Sequence, residues 1–462
     1  MSLSNNSISV DDSHYNFKNC RLNRKLYADN LTQIIQMHCD GFVLAIDNEW
    51  GGGKTTFIKM WEQNLKNAEY QTVYFNSWEN DLEVDPMVAI LAAFKTLGLN
   101  DSDFQNIILA AGKISAKALP IFLKGVLSKI ISEGPANELF KLITEKSSEF
   151  LLNQIDDYSK RKDSIKEFKN KLSIAISKRI DKKPLVFFVD ELDRCRPDYA
   201  VQVLEKIKHF FNIPGIVFVL AIDKNQLCNS IKGYYGSESI NSNEYLRRFI
   251  DLEYTLPSPN IEPYTQFLFF HYKLNEFFIN SERKNYPIFE GDEGIFMKIA
   301  FYICKDYHLN LRLIDKLYFH SSLVIGQMNK CHYCYPSLIF WLVYLKNIKP
   351  FIFDKIYNLQ YTVQGLIDEF ENDYMKLKKE NDGVHLRALY FQFIISYFNY
   401  YKENNNEFKL FDSNEILTIS FEKSNFDFIT LYENYKNRNL ISINLKEIIF
   451  KINLNENLKN LN

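Results

Sequence analysis

The chain has 462 residues, 46% of them hydrophobic and 24% charged, which suits two or three globular domains with sizeable cores. A formal net charge of −2 carries no basic signature, so charge does not indicate nucleic-acid binding. Seven scattered cysteines, an odd number, argue for reduced thiols in a cytosol rather than a disulfide framework, and the polar start lacks a signal-peptide core.

Residues 1–20 read as a flexible arm. From Arg24 to Cys39 the spacing of Leu26, Leu31, Ile34, Ile35 and Met37 predicts a helix with one apolar face. Tyr27 and Arg24 stand where a nucleotide base could be touched, with packing as the plainer role. Phe42-Val43-Leu44-Ala45-Ile46 then reads as a buried strand.

Asn48-Glu49-Trp50-Gly51-Gly52-Gly53-Lys54-Thr55-Thr56 follows that strand and opens the next predicted helix, which is the context of a phosphate-binding P-loop. Glycines let backbone N–H groups wrap a phosphate, and the helix N-terminus adds its positive dipole end. Lys54 would reach the β- and γ-phosphates of a nucleotide, and the Thr55 hydroxyl would ligate Mg²⁺. The first glycine of the usual pattern is Asn48 here, a residue that tolerates left-handed backbone.

Residues 71–76 form a second predicted strand, followed by Ser77-Trp78 and by a helix over 86–97. Residues 101–180 read as a helical insertion. Its apolar runs are broken by lysines and do not reach the ~20 residues a membrane span needs. Lys113, Lys117 and Lys124 fall near one helical face. That face suits solvent on a packed helix, with peripheral membrane contact as the alternative.

Residues 184–191 are a continuous apolar run ending in two carboxylates, Asp190 and Glu191. Read as a Walker B strand, it places Asp190 on Mg²⁺ and Glu191 where a base polarises water. A helix over 197–211 leads to the buried strand 216–222. Asp223 closes that strand, either sensing the γ-phosphate or capping the helix that starts at Lys224. Residues 249–254 read as a fifth strand.

The remainder is helical by pattern, with no internal repeat and no catalytic constellation beyond residue 330. Cys331 and Cys334, with His332 between them and His320 upstream, lack the second pair of a zinc site and read as incidental thiols. The predicted division is an arm (1–20), an α/β core in two parts (21–100 and 181–262) around the insertion (101–180), a helical lid (263–328) and a helical C-terminal region (329–462).

With these segments read, the chain resembles the KAP family of P-loop NTPases over about residues 24–325. The resemblance rests on Trp50-Gly51-Gly52-Gly53-Lys54-Thr55, Phe75-Asn76-Ser77-Trp78 and Val189-Asp190-Glu191-Leu192-Asp193-Arg194-Cys195. Val219-Leu220-Ala221-Ile222-Asp223-Lys224, Tyr245-Leu246-Arg247-Arg248-Phe249 and Leu309-Asn310-Leu311-Arg312 complete it. It implies a parallel sheet of the catalytic-glutamate type, with the strand ending at Asp223 between the P-loop and Walker B strands, and a helical lid.

The resemblance also implies an ATPase using ATP and Mg²⁺, with protein partners or self-association and links to membrane-associated signalling or antiviral defence. Many members carry transmembrane helices where this chain carries its lysine-broken insertion. A cytoplasmic protein is therefore expected, with peripheral placement at the inner face of the membrane left open. By position, the resemblance implies that Arg312 falls on the lid where a charged residue could reach back to the nucleotide, that Arg247 or Arg248 falls where related ATPases place an arginine finger, and that Trp78 packs in the core or lid. The expected function is an ATP-hydrolysing switch. Alternatives are a nucleotide-binding scaffold with little hydrolysis, which Asn48 favours, and a membrane-surface adaptor.

Overall fold

The computed structural model describes residues 15–38, 41–81, 85–112, 157–178, 183–210, 212–328, 335–380, 383–405, 408–424, 426–438, 440 and 444–457. The apolar runs of the sequence form five parallel strands: β1 (Val43–Asp47), β2 (Thr72–Asn76), β3 (Leu185–Asp190), β4 (Ile216–Ile222) and β5 (Leu252–Thr255). Their order across the sheet is β2-β3-β4-β1-β5, so β4 lies between β1 and β3 as the family resemblance implies.

Alternate residues of each strand face opposite sides, and both sides are covered. On one side Leu44, Ile46, Val186, Phe188, Val217 and Val219 pack against α1 (Lys25–Met37) and α2 (Lys54–Asn67). On the other, Ala45, Phe187, Val189, Phe218 and Leu220 meet α3 (Pro86–Phe94) and helices further along the chain. Burial on both faces is why β3 and β4 are apolar without alternation.

The described ends of the insertion are α4 (Asp101–Gly112) and α5 (Asp157–Ser177). Ile107, Ala110, Phe168 and Leu172 join the same apolar cluster as α3, which seats both helices on that face. Lys113, Lys117 and Lys124 lie outside the described residues, as do Cys331, His332 and Cys334. Further along the described residues come α6 (Pro197–Phe210), α7 (Lys224–Tyr235) and α8 (Ser242–Leu246).

The fifth strand starts later than its sequence suggests. Phe249 and Ile250 donate their N–H groups to the Leu246 carbonyl and finish the turn after α8. Phe249 is buried in the core, so its apolar character reflects packing of that turn and not strand pairing.

The chain divides into two compact units, Met1–Ser258 and Pro259–Asn462. The second is helical. One apolar cluster runs through it from Leu268 to Ile452, drawing on the segments on both sides of residue 328. Its helix Pro336–Ile348 is buried at every position from Pro336 to Leu345, as expected of a helix apolar all round. Arg283 and Asp292 form a buried ion pair at 2.5 Å, with the guanidinium over the Phe277 and Phe289 rings. Among the described residues no helix is long and apolar enough to cross a membrane.

Candidate nucleotide-binding site

The end of β1 passes into the glycine-rich turn at Asn48, whose N–H donates to the Ile222 carbonyl at 3.1 Å. Gly51 and Gly53 hold φ of 82° and 80°, the left-handed region where an L side chain is strained. Gly53 is the N-cap of α2, so the helix opens at Lys54 with its first N–H groups directed at the turn.

Asn48 does not occupy a left-handed position, so its tolerance of such backbone is not what allows it here. The reason lies at Gly52. A Cβ on that residue would stand 2.3 Å from Asn48 Oδ1 and 2.7 Å from its Cγ. The side chain that replaces the usual glycine fills the space a side chain at Gly52 would need.

Lys54 is buried, and its Nζ donates to the carbonyls of Asn48 and Glu49, the latter at 3.3 Å. Burial lowers its pKa, while the charges of Asp193, Asp223, Asp190 and Asp47 act to raise it. One ammonium facing four carboxylates is a poor place for a polyphosphate alone. It suits a polyphosphate accompanied by a divalent cation.

Asp190 closes β3 and is 1% exposed. Its Oδ2 accepts from the Tyr74 hydroxyl at 2.9 Å and its Oδ1 from the Glu191 N–H at 2.8 Å. Burial raises its pKa, and the Tyr74 hydroxyl, with the nearby Thr55 hydroxyl, works against that rise. The two oxygens expected on Mg²⁺, those of Thr55 and Asp190, are therefore neighbours. Among the described residues no cluster of three or more His, Cys, Asp or Glu forms a metal cage, and Mg²⁺ carried by a nucleotide needs none.

Glu191 adopts a left-handed conformation, φ 59°, which turns the chain out of the sheet and its side chain back over the strand ends. Its Oε1 pairs with Arg194 Nη1 at 2.7 Å, and its Oε2 accepts from Asn76 Nδ2 at 3.2 Å. Asn76 reaches it because β2 and β3 are neighbours in a register that sets Asn76 beside Asp190. The Arg194 guanidinium lies over the Trp78 ring, 5.9 Å from its centroid. Trp78 is 53% exposed, so within its own unit it is a surface platform for Arg194 and not a core residue.

Asp223 accepts from the Gln226 N–H at 3.2 Å, capping α7, and from the Trp50 N–H at 3.1 Å. Both oxygens are thus engaged with backbone, and the second contact ties the glycine-rich turn to the end of β4. The Trp50 ring N–H donates to Asp193 Oδ2. Asp193 Oδ1 is buried and has no hydrogen-bond partner among the described residues.

Arg247 and Arg248 are placed apart from this cluster. Arg247 and Arg248 are exposed before β5, whose first residue, Leu252, pairs with Leu44 near the start of β1. They therefore lie at the end of the strands opposite the glycine-rich turn, and the fold does not bring them to the turn of their own chain. Arg247 pairs with Glu244 at 3.2 Å. Arg312 is exposed in the first turn of helix Leu311–Gly326, in the second unit.

Sequence reasoning assigned no role to Tyr74, Asn76, Asp193 or Arg194. Asn76, Asp193 and Arg194 stood in strings that carry the family resemblance, whereas Tyr74 matters only through strand adjacency. The left-handed glycines, the buried lysine and the paired Thr55 and Asp190 fit a nucleotide with Mg²⁺.

A five-stranded parallel sheet in this order, with a glycine-rich turn after β1 and a carboxylate pair after β3, defines the P-loop NTPase class. The KAP family P-loop domain matches residues 24–320, more than half of the chain, and the chain belongs to that family. No curated protein matches the chain.

Proposed function

We propose that the chain binds ATP with Mg²⁺ and hydrolyses it as a molecular switch. The observation that carries this reading is the glycine-rich turn, with left-handed Gly51 and Gly53, opening α2 at the buried Lys54 in the same site as the buried Asp190 carboxylate at the end of β3. Backbone N–H groups between Gly51 and Thr56 would hold the phosphates, together with Lys54 once its ammonium leaves the Asn48 and Glu49 carbonyls. Thr55 and Asp190 would hold Mg²⁺, which neutralises charge on the phosphate oxygens.

Glu191 is the residue to orient and deprotonate the attacking water. For that its carboxylate must exchange its bonds with Arg194 and Asn76 for a bond to water. Asp223 and Asp193 are assigned to position: they hold the backbone and ring N–H of Trp50, and so the shape of the turn.

A second reading, a nucleotide-bound scaffold with little turnover, draws support from the same engaged Glu191 carboxylate. Mg²⁺-dependent ATP turnover of the purified chain, beside Glu191→Gln, separates the two. Turnover by the wild type, with a variant that binds ATP without hydrolysing it, supports the switch. Binding without turnover in both favours the scaffold. Binding in neither overturns the nucleotide reading altogether.

A further inference from the structure

Arg24 lies immediately before α1, far in sequence from the glycine-rich turn, yet it touches that turn from behind. Its Nη1 donates to the carbonyls of Gly52 at 3.0 Å and Gly53 at 3.3 Å. The residue is 2% exposed, and its Nε and Nη2 have no hydrogen-bond partner among the described residues. No carboxylate pairs with it among those residues. A buried guanidinium without a counter-charge is destabilising by itself, so packing does not account for it.

The peptide geometry assigns it a task. In a trans peptide the carbonyl of one residue and the N–H of the next point in opposite directions. Carbonyls of Gly52 and Gly53 turned toward Arg24 therefore turn the N–H groups of Gly53 and Lys54 the other way, toward the phosphate position. Those are the donors that a nest for an anion requires. The helix that carries Arg24 is anchored: Trp61 Nε1 donates to Thr32 Oγ1 at 2.9 Å, and Ala28, Leu31 and Ile35 pack with Phe57, Ile58 and Trp61.

We infer that Arg24 is a positioning residue that holds the phosphate-binding turn in its binding shape from the side opposite the phosphates. Its missing counter-charge is the polyphosphate itself, across a single layer of peptide. This rests on the nucleotide-binding reading above and adds a residue to it that touches no phosphate. Burial lowers the Arg24 pKa to about 10, which leaves it charged at neutral pH.

The test uses the full chain and measures two quantities: the melting midpoint without nucleotide, and the affinity for Mg-ATP and Mg-GTP by titration. Arg24→Met is expected to melt no lower than wild type, because an unpaired buried charge is removed. Its affinity for both nucleotides should fall by the same factor, roughly tenfold to a hundredfold, for loss of hydrogen bonds from a charged donor. Arg24→Lys keeps the charge but not the fork, and an intermediate loss is expected. Should Arg24→Met fail to fold, the lysine variant carries the same comparison.

Unchanged nucleotide affinity in the folded variants overturns the inference, as does a loss confined to one of the two bases, which would make Arg24 a base-reading residue. Absence of binding by the wild-type chain overturns the nucleotide reading beneath it, and is told apart by that control.

Discussion

The Glu191 carboxylate is bonded at 2.7 Å to the guanidinium of Arg194, three residues further along the same loop. The pair is partly buried, and Asn76 holds the second carboxylate oxygen from the neighbouring strand. A carboxylate so engaged is not free to take a proton from water. The Arg194 side chain in turn rests on an exposed tryptophan, Trp78, so the restraint on Glu191 ends at the protein surface.

Removing that restraint should raise basal turnover. Arg194→Ala is expected to increase ATP hydrolysis severalfold, and Glu191→Gln to lower it by about 10²–10⁴ while ATP binding persists. Steady-state hydrolysis with parallel binding titrations checks both. A fall in turnover for Arg194→Ala would mean that the pair aligns Glu191 and does not restrain it.

Asn48 and Gly52 should behave as a coupled pair. Gly52→Ala places a methyl group 2.3 Å from Asn48 Oδ1, and overpacking of that kind costs about 1–3 kcal/mol. The single variant is expected to melt lower and to bind nucleotide more weakly. Asn48→Gly combined with Gly52→Ala should recover most of both losses, because the clashing atoms are gone. Additive effects in a double-mutant cycle would reject the coupling.

Asp190→Asn should make nucleotide affinity insensitive to Mg²⁺. In the wild type, chelating the metal is expected to weaken ATP binding by at least about tenfold, equivalent to roughly 1.4 kcal/mol. An asparagine oxygen can still accept from Tyr74, so the fold around β3 should persist. Titrations with and without chelator, on both proteins, measure the difference. An Mg²⁺ effect retained in full by the variant would place the metal elsewhere.

In the second unit, the buried Arg283 and Asp292 pair should dominate local stability. Asp292→Ala leaves the guanidinium buried without this carboxylate, for an expected loss of about 3–5 kcal/mol. Replacing both, Arg283→Met with Asp292→Leu, should restore much of it, since the site is already lined by Phe277 and Phe289. Chemical denaturation followed by circular dichroism distinguishes the single from the double change.

The sequence by itself determined the local parts. Strands buried on both faces must be continuously apolar, and β3 and β4 are. A turn that needs left-handed backbone must use glycine there, and Gly51 and Gly53 supply it. Lys54, Thr55, Asp190 and Glu191 were legible because each sits at a strand end or helix start that its own neighbours specify.

Tertiary structure alone decided what these groups touch. Strand pairing set Asn76 beside the Walker B carboxylates, and the packing of α1 on α2 brought Arg24 beneath Gly52 and Gly53. The same sheet carried Arg247 and Arg248 to the opposite end of its strands, although their sequence position suggested a place at the site. The physical reason is that motifs are written by local backbone requirements. Contacts between residues far apart in sequence depend on strand order, register and helix docking, which no local pattern records.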